Sequence, residues 1–263
     1  MAAATAPLPA PPASSPTRQG AYREVGTVRH ASIHAERYRL AGTGKVLADV
    51  DVTEGQFHGL MSIGGNLTAD RVASEGSLEV TGDVRVADRL AAQGSLRVAG
   101  ALTAGAAELR GAIRIGHDVR AATLLACRGT FEVGGTVTAG LFAPDGRFAV
   151  ERSIEAREVA GRFDGDSRVD TILATRIALR PKAWLRLPLD VPPLRPKGHL
   201  EVARIEAESV ELEGVTVHYL KAPTVVLGRY CHVAQLDGHV VRQDRTSHVG
   251  FESRSPPPPG MSH

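Results

Sequence analysis

The chain has 263 residues, with 31 lysines and arginines against 29 aspartates and glutamates, a formal net charge of +2. That balance excludes a surface built as a whole to hold nucleic acid. Aromatic residues make up 4% and there are two cysteines, which suits a narrow core of small apolar side chains and excludes a disulfide framework.

Residues 1–27 are rich in alanine, proline and serine and then polar. Such a segment buries too little apolar surface to offset its ordering entropy, and it is expected to be a disordered tail, either passive or a tether. Its opening, MAAATAPLPAPPASSP, has neither the basic start nor the unbroken apolar run of a secretion signal. No stretch approaches the roughly 20 apolar residues of a membrane span. The expectation is a cytoplasmic protein in a reducing compartment.

From residue 28 a register sets in that no amphipathic helix keeps. Ile33, Val50, Leu67, Val84, Leu102, Val119, Val137 and Ile154 follow one another at intervals of 17 or 18 residues. Six residues before these landmarks stand Met61, Leu78, Leu96, Ile113, Phe131 and Phe148, and four before stand Val46, Ile63, Val80, Val98, Ile115, Val133 and Val150. Alternation with a period of two means strand, and a fixed longer period means a solenoid whose coils repeat the same positions. Just before the landmarks come Asp49, Asn66, Asp83 and Asp118, preceded in turn by residues such as Gly65, Gly82 and Gly100. Such pairs suit tight corners. A looser third face follows near Val72, Leu90, Leu109 and Leu125. The pattern predicts an all-β chain, a three-sided β-helix of about eight coils over residues 28–160. Phe131 and Phe148 share a column and are expected to stack, and Cys127 to be a small core or corner residue.

Residues 161–179 keep strand-like residues (Val169, Ile172, Ile177 and Leu179) but lose the register. Asp164-Gly165-Asp166 reads as a turn, because calcium needs more ligands than one such triplet offers. The stretch 180–198, RPKAWLRLPLDVPPLRPKG, is broken by prolines and sets Arg180, Lys182, Arg186, Arg195 and Lys197 against Asp190. Two readings stand side by side. In one, the stretch is a loop whose apolar residues pack on the flank of the rod. In the other, Arg180, Lys182, Trp184, Leu185, Arg186 and Leu187 form a basic-aromatic contact for a membrane surface or a partner.

Residues 199–250 return to alternation, as in Val202, Ile205, Val210, Leu212, Val215 and Val217, and read as about three more coils that extend or cap the rod. Glu201, Glu206, Glu208, Glu211 and Glu213 make this block acidic, either as a solvated face or as a complement for another copy. Residues 251–263 are a proline-rich stub, expected to be disordered.

The signals of catalysis were sought along the same columns. His117 sits where other coils have glycine, so a corner residue explains it better than a catalytic base. Hexapeptide acyltransferases form left-handed solenoids with a strict six-residue period, which the slip between 17 and 18 denies. Asp49, Asp83 and Asp118 share a column, but Asn66, Ala101 and Thr136 interrupt any acidic ladder of the pectate-lyase kind. The histidines show no paired metal-ligand spacing, and there is no phosphate loop or nucleophile elbow. No catalytic residue, cofactor, metal or small-molecule substrate is expected.

The segments GKVLADVDV, GSLEVTGDVRVADRL, GSLRVAGALTA and GAIRIGHDVRAA, within residues 44–140, resemble the bactofilins. The repeat of that family is close to G-S-L/I-x-V/I-x-G-D/N-V/I-x-A. The second strand block resembles the C-terminal part of a longer bactofilin-like subgroup. The resemblance implies a right-handed three-sided β-helix whose subunits join end to end into filaments without nucleotide. It implies a non-enzymatic cytoskeletal scaffold that recruits cell-envelope or morphogenesis partners, often at the inner face of the membrane. The rival readings are a monomeric or small-oligomeric solenoid binding module and, behind it, an acyltransferase-like enzyme. Independently, a solenoid end exposes an unpaired strand edge, and no amphipathic helix before Val28 or after Val249 is evident to cover one.

Overall fold

The computed structural model describes residues 20–182 and 198–253. Among them there is no helix. The strands are β1 (Ala21–His30), β2 (Ile33–Val46), β3 (Val50–Ile63), β4 (Leu67–Val80), β5 (Val84–Val98), β6 (Leu102–Ile115), β7 (Val119–Val133), β8 (Val137–Phe163), β9 (Gly165–Pro181), β10 (Gly198–Leu212), β11 (Val215–Leu227), β12 (His232–Gln243) and β13 (His248–Ser253). They form one 13-stranded sheet in chain order, and neighbouring strands pair in parallel, as between β3 and β4. Most strands follow one circuit of the solenoid, laid on the one before it, while β8, of 27 residues, runs past one circuit and β13, of 6, covers part of one. At about 4.8 Å per coil the rod is roughly 60 Å long.

The burial pattern makes the cross-section three-sided. In β3, the pairs Val50 and Val52, Gly55 and Phe57, and Met61 and Ile63 point inward, with exposed or half-buried residues at the bends between them. All eight landmarks are buried, from Ile33 at 6% exposure to Ile154 at 0%. Phe131 and Phe148 are also in the core. Cys127 is buried and aligned with Leu109 and Pro144, as a small core residue should be.

The corners have two distinct chemistries. At one, the Asp or Asn side chain binds the next coil. Asp49 Oδ1 accepts from the Asn66 N–H at 2.7 Å, Asn66 Oδ1 from Asp83 N–H at 2.9 Å, and Asp83 Oδ1 from Ala101 N–H at 3.0 Å. At the second stands a glycine column that the landmark pattern missed: Gly42, Gly59, Gly76, Gly94, Gly111, Gly129 and Gly146, each with φ above +100°. Gly76 shows why no other residue fits, since a Cβ there would lie 2.2 Å from the Gly59 carbonyl oxygen. The signal was available in the sequence as a second 17- or 18-residue period.

Several expectations need correction. The ladder begins at Ala21 and not at residue 28, because β1 pairs with β2 from Ala21 opposite Arg37. At the far end it continues to Ser253, past the expected boundary at 250. Residues 161–179 do not lose the register: Ile154 aligns with Ile172 and Val159 with Ile177. What hid this was the corner at Glu151-Arg152-Ser153, which lacks Gly-Asp, so that β8 runs through it unbroken. The inward position occupied by Phe148 in β8 also passes to Ser167, a buried serine whose Oγ accepts from Phe148 N–H.

Phe131 and Phe148 are aligned, yet their rings meet through Phe142. Its centroid is 6.0 Å from Phe131 and 5.8 Å from Phe148. Side chains from all three faces converge in so narrow a core, and Phe142 comes from another face. On that face the column of Val72 and Leu90 continues through Ala107 to Leu125, while Leu109 sits in the adjacent column with Ala92 and Cys127. Large and small residues thus trade places between the two inward positions, which keeps the filled volume of each coil nearly constant.

The second block extends the rod. β10 pairs with β9 over its whole length, Ile205 opposite Ile172 and Leu212 opposite Leu179, so the chain re-enters the same column after residues 183–197. The landmark column then runs on through Leu220 and Leu236. The expected turn at Asp164-Gly165-Asp166 is reduced to a one-residue break: Asp164 alone separates β8 from β9, and Gly165, at φ +60°, and Asp166 open β9.

Candidate functional site

The expected contact at 180–187 divides in two. Arg180 is exposed on β9, and Lys182 is turned back onto the rod. Its Nζ lies 3.2 Å from Asp145 Oδ1 and 3.5 Å from Asp164 Oδ2, and donates to the Asp145 carbonyl at 3.3 Å. Trp184, Leu185, Arg186 and Leu187 lie outside the described residues. Asp145 also faces Arg128 at 3.2 Å and Arg162 at 3.7 Å. Burial would raise its pKa, but the hydrogen bond and charge of Lys182, then Arg162 and Arg128, hold it below the usual carboxylate range.

His117 is an exposed corner residue, and it belongs to a rule that the Asp/Asn ladder imposes. Gly65, Gly82, Gly100 and Gly135 each follow a coil with Asp or Asn at the corner. A Cβ on any of them would meet that residue's Oδ1 at 2.3–2.5 Å. Ala101 has no Oδ1, and the next coil carries His117. Thr136 has none either, and the next coil carries Arg152. The corner column therefore reads as a structural ladder. The acidic residues of β10 and the bend after it include Glu206, paired to Arg204, and Glu213, paired to Arg229. Both thiols are pushed up, chiefly by burial. Among the described residues no cluster of three or more His, Cys, Asp or Glu could hold a metal.

The two ends are the places where the repeat stops. Among the described residues, β1 and β13 each have a neighbour on one side only, so a row of backbone N–H and C=O groups on each faces outward. Four exposed large apolar side chains stand at or beside them, Tyr22 at 53% and Val25 at 73% on β1, Phe251 at 64% on β13 and Val241 at 61% on β12, while Leu47, Leu60, Leu173 and Tyr230 are exposed elsewhere on the rod.

The β1 end has a polar centre. Glu24 and His30 take inward positions, opposite Leu40 and Val46 of the core. The Tyr38 hydroxyl donates to Glu24 Oε2 at 2.6 Å, and His30 Nε2 lies 2.9 Å from the same oxygen. Burial works to raise the pKa of Glu24, but the hydrogen bonds from Tyr38 and His30 and the charge of His30 outweigh it and hold it low. Burial, and then Glu24, pushes the Tyr38 hydroxyl up. At the other end, the turn before β13 is closed by Asp244, which accepts from Thr246 N–H at 2.9 Å, and by Ser247 Oγ, which accepts from Cys231 N–H at 2.8 Å. Sequence reasoning missed Glu24 because it began the solenoid at residue 28, and His30 because an ionisable residue does not fit the apolar columns it followed. The 16-residue step from Gly26 to Gly42 was the available signal.

The fold defines a class, the all-β parallel solenoids with open sheet edges. Compared with known proteins, the chain matches no family model, no curated protein and no solved structure. Among the described residues, no helix is long and apolar enough to cross a membrane.

Proposed function

We propose that this chain is a non-enzymatic, bactofilin-like cytoskeletal scaffold that assembles end to end into nucleotide-independent filaments and recruits cell-envelope or morphogenesis partners from the cytoplasmic side. The observation that carries this reading is the pair of open parallel edges at β1 and β13, flanked by exposed Tyr22, Val25, Val241 and Phe251. An open edge is a template for another strand. One end meeting a different end is a heterologous contact, and such contacts without closure give filaments. The residues before β1 include Pro7, Pro9, Pro11, Pro12 and Pro16, and proline has no N–H to offer a ladder. The repeat motif of residues 44–140 supports the same reading.

A second reading draws on Glu24 and His30: a polar terminal coil is how monomeric solenoids stay soluble, and the rod would then be a capped binding module. Negative-stain electron microscopy of the full chain without nucleotide tests the choice. Unbranched thin filaments are expected, and a uniform population of single rods overturns assembly.

A further inference from the structure

We propose that contact through the β1 end is gated by protonation of His30, so that assembly there is favoured in mild acid and released as the pH rises. This rests on the end-to-end reading above and adds its regulation.

The geometry is specific. Along the rod the core columns are apolar but for small buried serines such as Ser74 and Ser167, and at β1 two of them finish in ionisable groups, Glu24 over Leu40 and His30 over Val46. Both remain partly open, with side chains 25% and 34% exposed. A further coil stacked on β1 would cover them. The groups that face the pair are few. From β2 only Tyr38 does so with an ionisable group, because Leu40, Gly44 and Val46 hold the other inward positions. On β1 itself, Tyr22 and Val28 complete the inward set. Arg23 over Arg39 and Arg29 over Lys45 alternate with it and point to the outside.

Covering a carboxylate is tolerable when an opposite charge accompanies it and its hydrogen bonds are made, and expensive when it enters alone. With His30 protonated, Glu24 and His30 enter the contact as a neutral pair, and the Tyr38 hydroxyl donates the remaining hydrogen bond. With His30 neutral, its N–H can still donate, but the contact must bury one net negative charge. Assembly through this end therefore takes up one proton in the range where imidazole changes charge, and is weakened as the pH rises through it. The low pKa of Glu24 agrees, since its carboxylate stays charged throughout that range.

The test is pelleting of the full chain at constant ionic strength, between about pH 5.5 and about pH 8.5, the range in which imidazole titrates. The wild type should need about tenfold or more protein to assemble at the upper limit, as linkage allows up to tenfold per pH unit for one proton. Glu24→Gln, which keeps an acceptor for Tyr38 without the charge, and Glu24→Leu should lose the wild-type dependence or reverse it, because a protonated His30 would then enter the contact as an unpaired charge. His30→Asn should assemble poorly at both. Circular dichroism checks that each variant keeps its strands, and with two Glu24 variants the test survives a failure of one to fold. Wild-type assembly that ignores pH, or Glu24 variants that keep the wild-type dependence, overturn the gate and leave the filament reading intact. No assembly by the wild type or either Glu24 variant at any pH overturns both.

Discussion

Asp83 and Gly100 occupy neighbouring coils, and the carboxylate of the first fills the space where a Cβ of the second would stand, 2.4 Å from Oδ1. The same carboxylate oxygen accepts from the Ala101 N–H at 3.0 Å. The glycine therefore serves the hydrogen bond of the coil before it. Gly100→Ala must displace Asp83 or shift the corner, and is expected to cost about 1–3 kcal/mol, since the half-buried Ala101 N–H loses its acceptor and the Cβ also meets the Gly82 backbone. Asp83→Ala alone should cost about 1 kcal/mol. The double variant should cost less than the sum, because the bond and part of the clash share Asp83 Oδ1, while the Gly82 carbonyl oxygen at 2.7 Å keeps the rest of the clash. Urea unfolding of the four proteins measures the coupling, and strict additivity would count against this pairing.

The two kinds of positive-φ glycine should respond differently to alanine. Gly76 has φ +120° and a Cβ there would sit 2.2 Å from the Gly59 carbonyl oxygen, so the backbone itself must move. Gly165 has φ +60° and its nearest neighbour would be the Arg147 side chain at 3.9 Å. Gly165→Ala is expected to cost only the left-handed strain, about 1–2 kcal/mol, and Gly76→Ala more than about 3 kcal/mol, as strain and clash combine. Thermal unfolding of the two variants ranks them.

Phe142 is fully buried and joins the rings of Phe131 and Phe148. Phe142→Ala should cost about 3–5 kcal/mol through the cavity it leaves. Because each coil contacts only its neighbours, the loss should be local. Hydrogen exchange should quicken in β7, β8 and β9 while β2 and β3 keep their protection. Uniform loss along the rod would argue for global cooperativity instead.

Lys182 and Asp145 tie the start of the segment at 183–197 to the rod at 3.2 Å. Asp145 has a folded pKa below its unfolded value. Its pairing therefore stabilises above the ordinary Asp value of about 3.9 and is lost as the pH falls through the lower folded value. Lys182→Met should cost about 1 kcal/mol at neutral pH, a figure kept small because both groups are partly exposed and screened. The difference from wild type should shrink in acid, as stability measured at about pH 7 and about pH 3 would show. A difference that grows toward acid would contradict the assignment.

Much of the fold was legible because a solenoid makes every coil solve the same packing problem. The spacing of Ile33 to Ile154 names the inward column, and Asp49, Asn66 and Asp83 name the corner, since each must fit the coil before it. Legibility failed where the chain met the need by other means. Ser167 took the place of a large apolar residue, Glu151-Arg152-Ser153 turned a corner without Gly-Asp, and Leu109 exchanged places with Ala107. In each case the requirement on volume or hydrogen bonding is met jointly by two coils, so no single column carries it. The β1 end escaped for a different reason, because Glu24 and His30 break the apolar pattern in the first described coil.

The amino-acid order by itself determined that this is an all-β rod of repeating coils, because a period of 17 or 18 residues with internal alternation admits no other regular structure. Only the tertiary structure decided that the coils after residue 198 continue the same stack, that Phe142 bridges the two phenylalanines, that Lys182 is bound to Asp145, and that a carboxylate and an imidazole close the columns at β1. Those relationships join residues brought together by stacking and by the meeting of three faces, which a linear pattern does not rank.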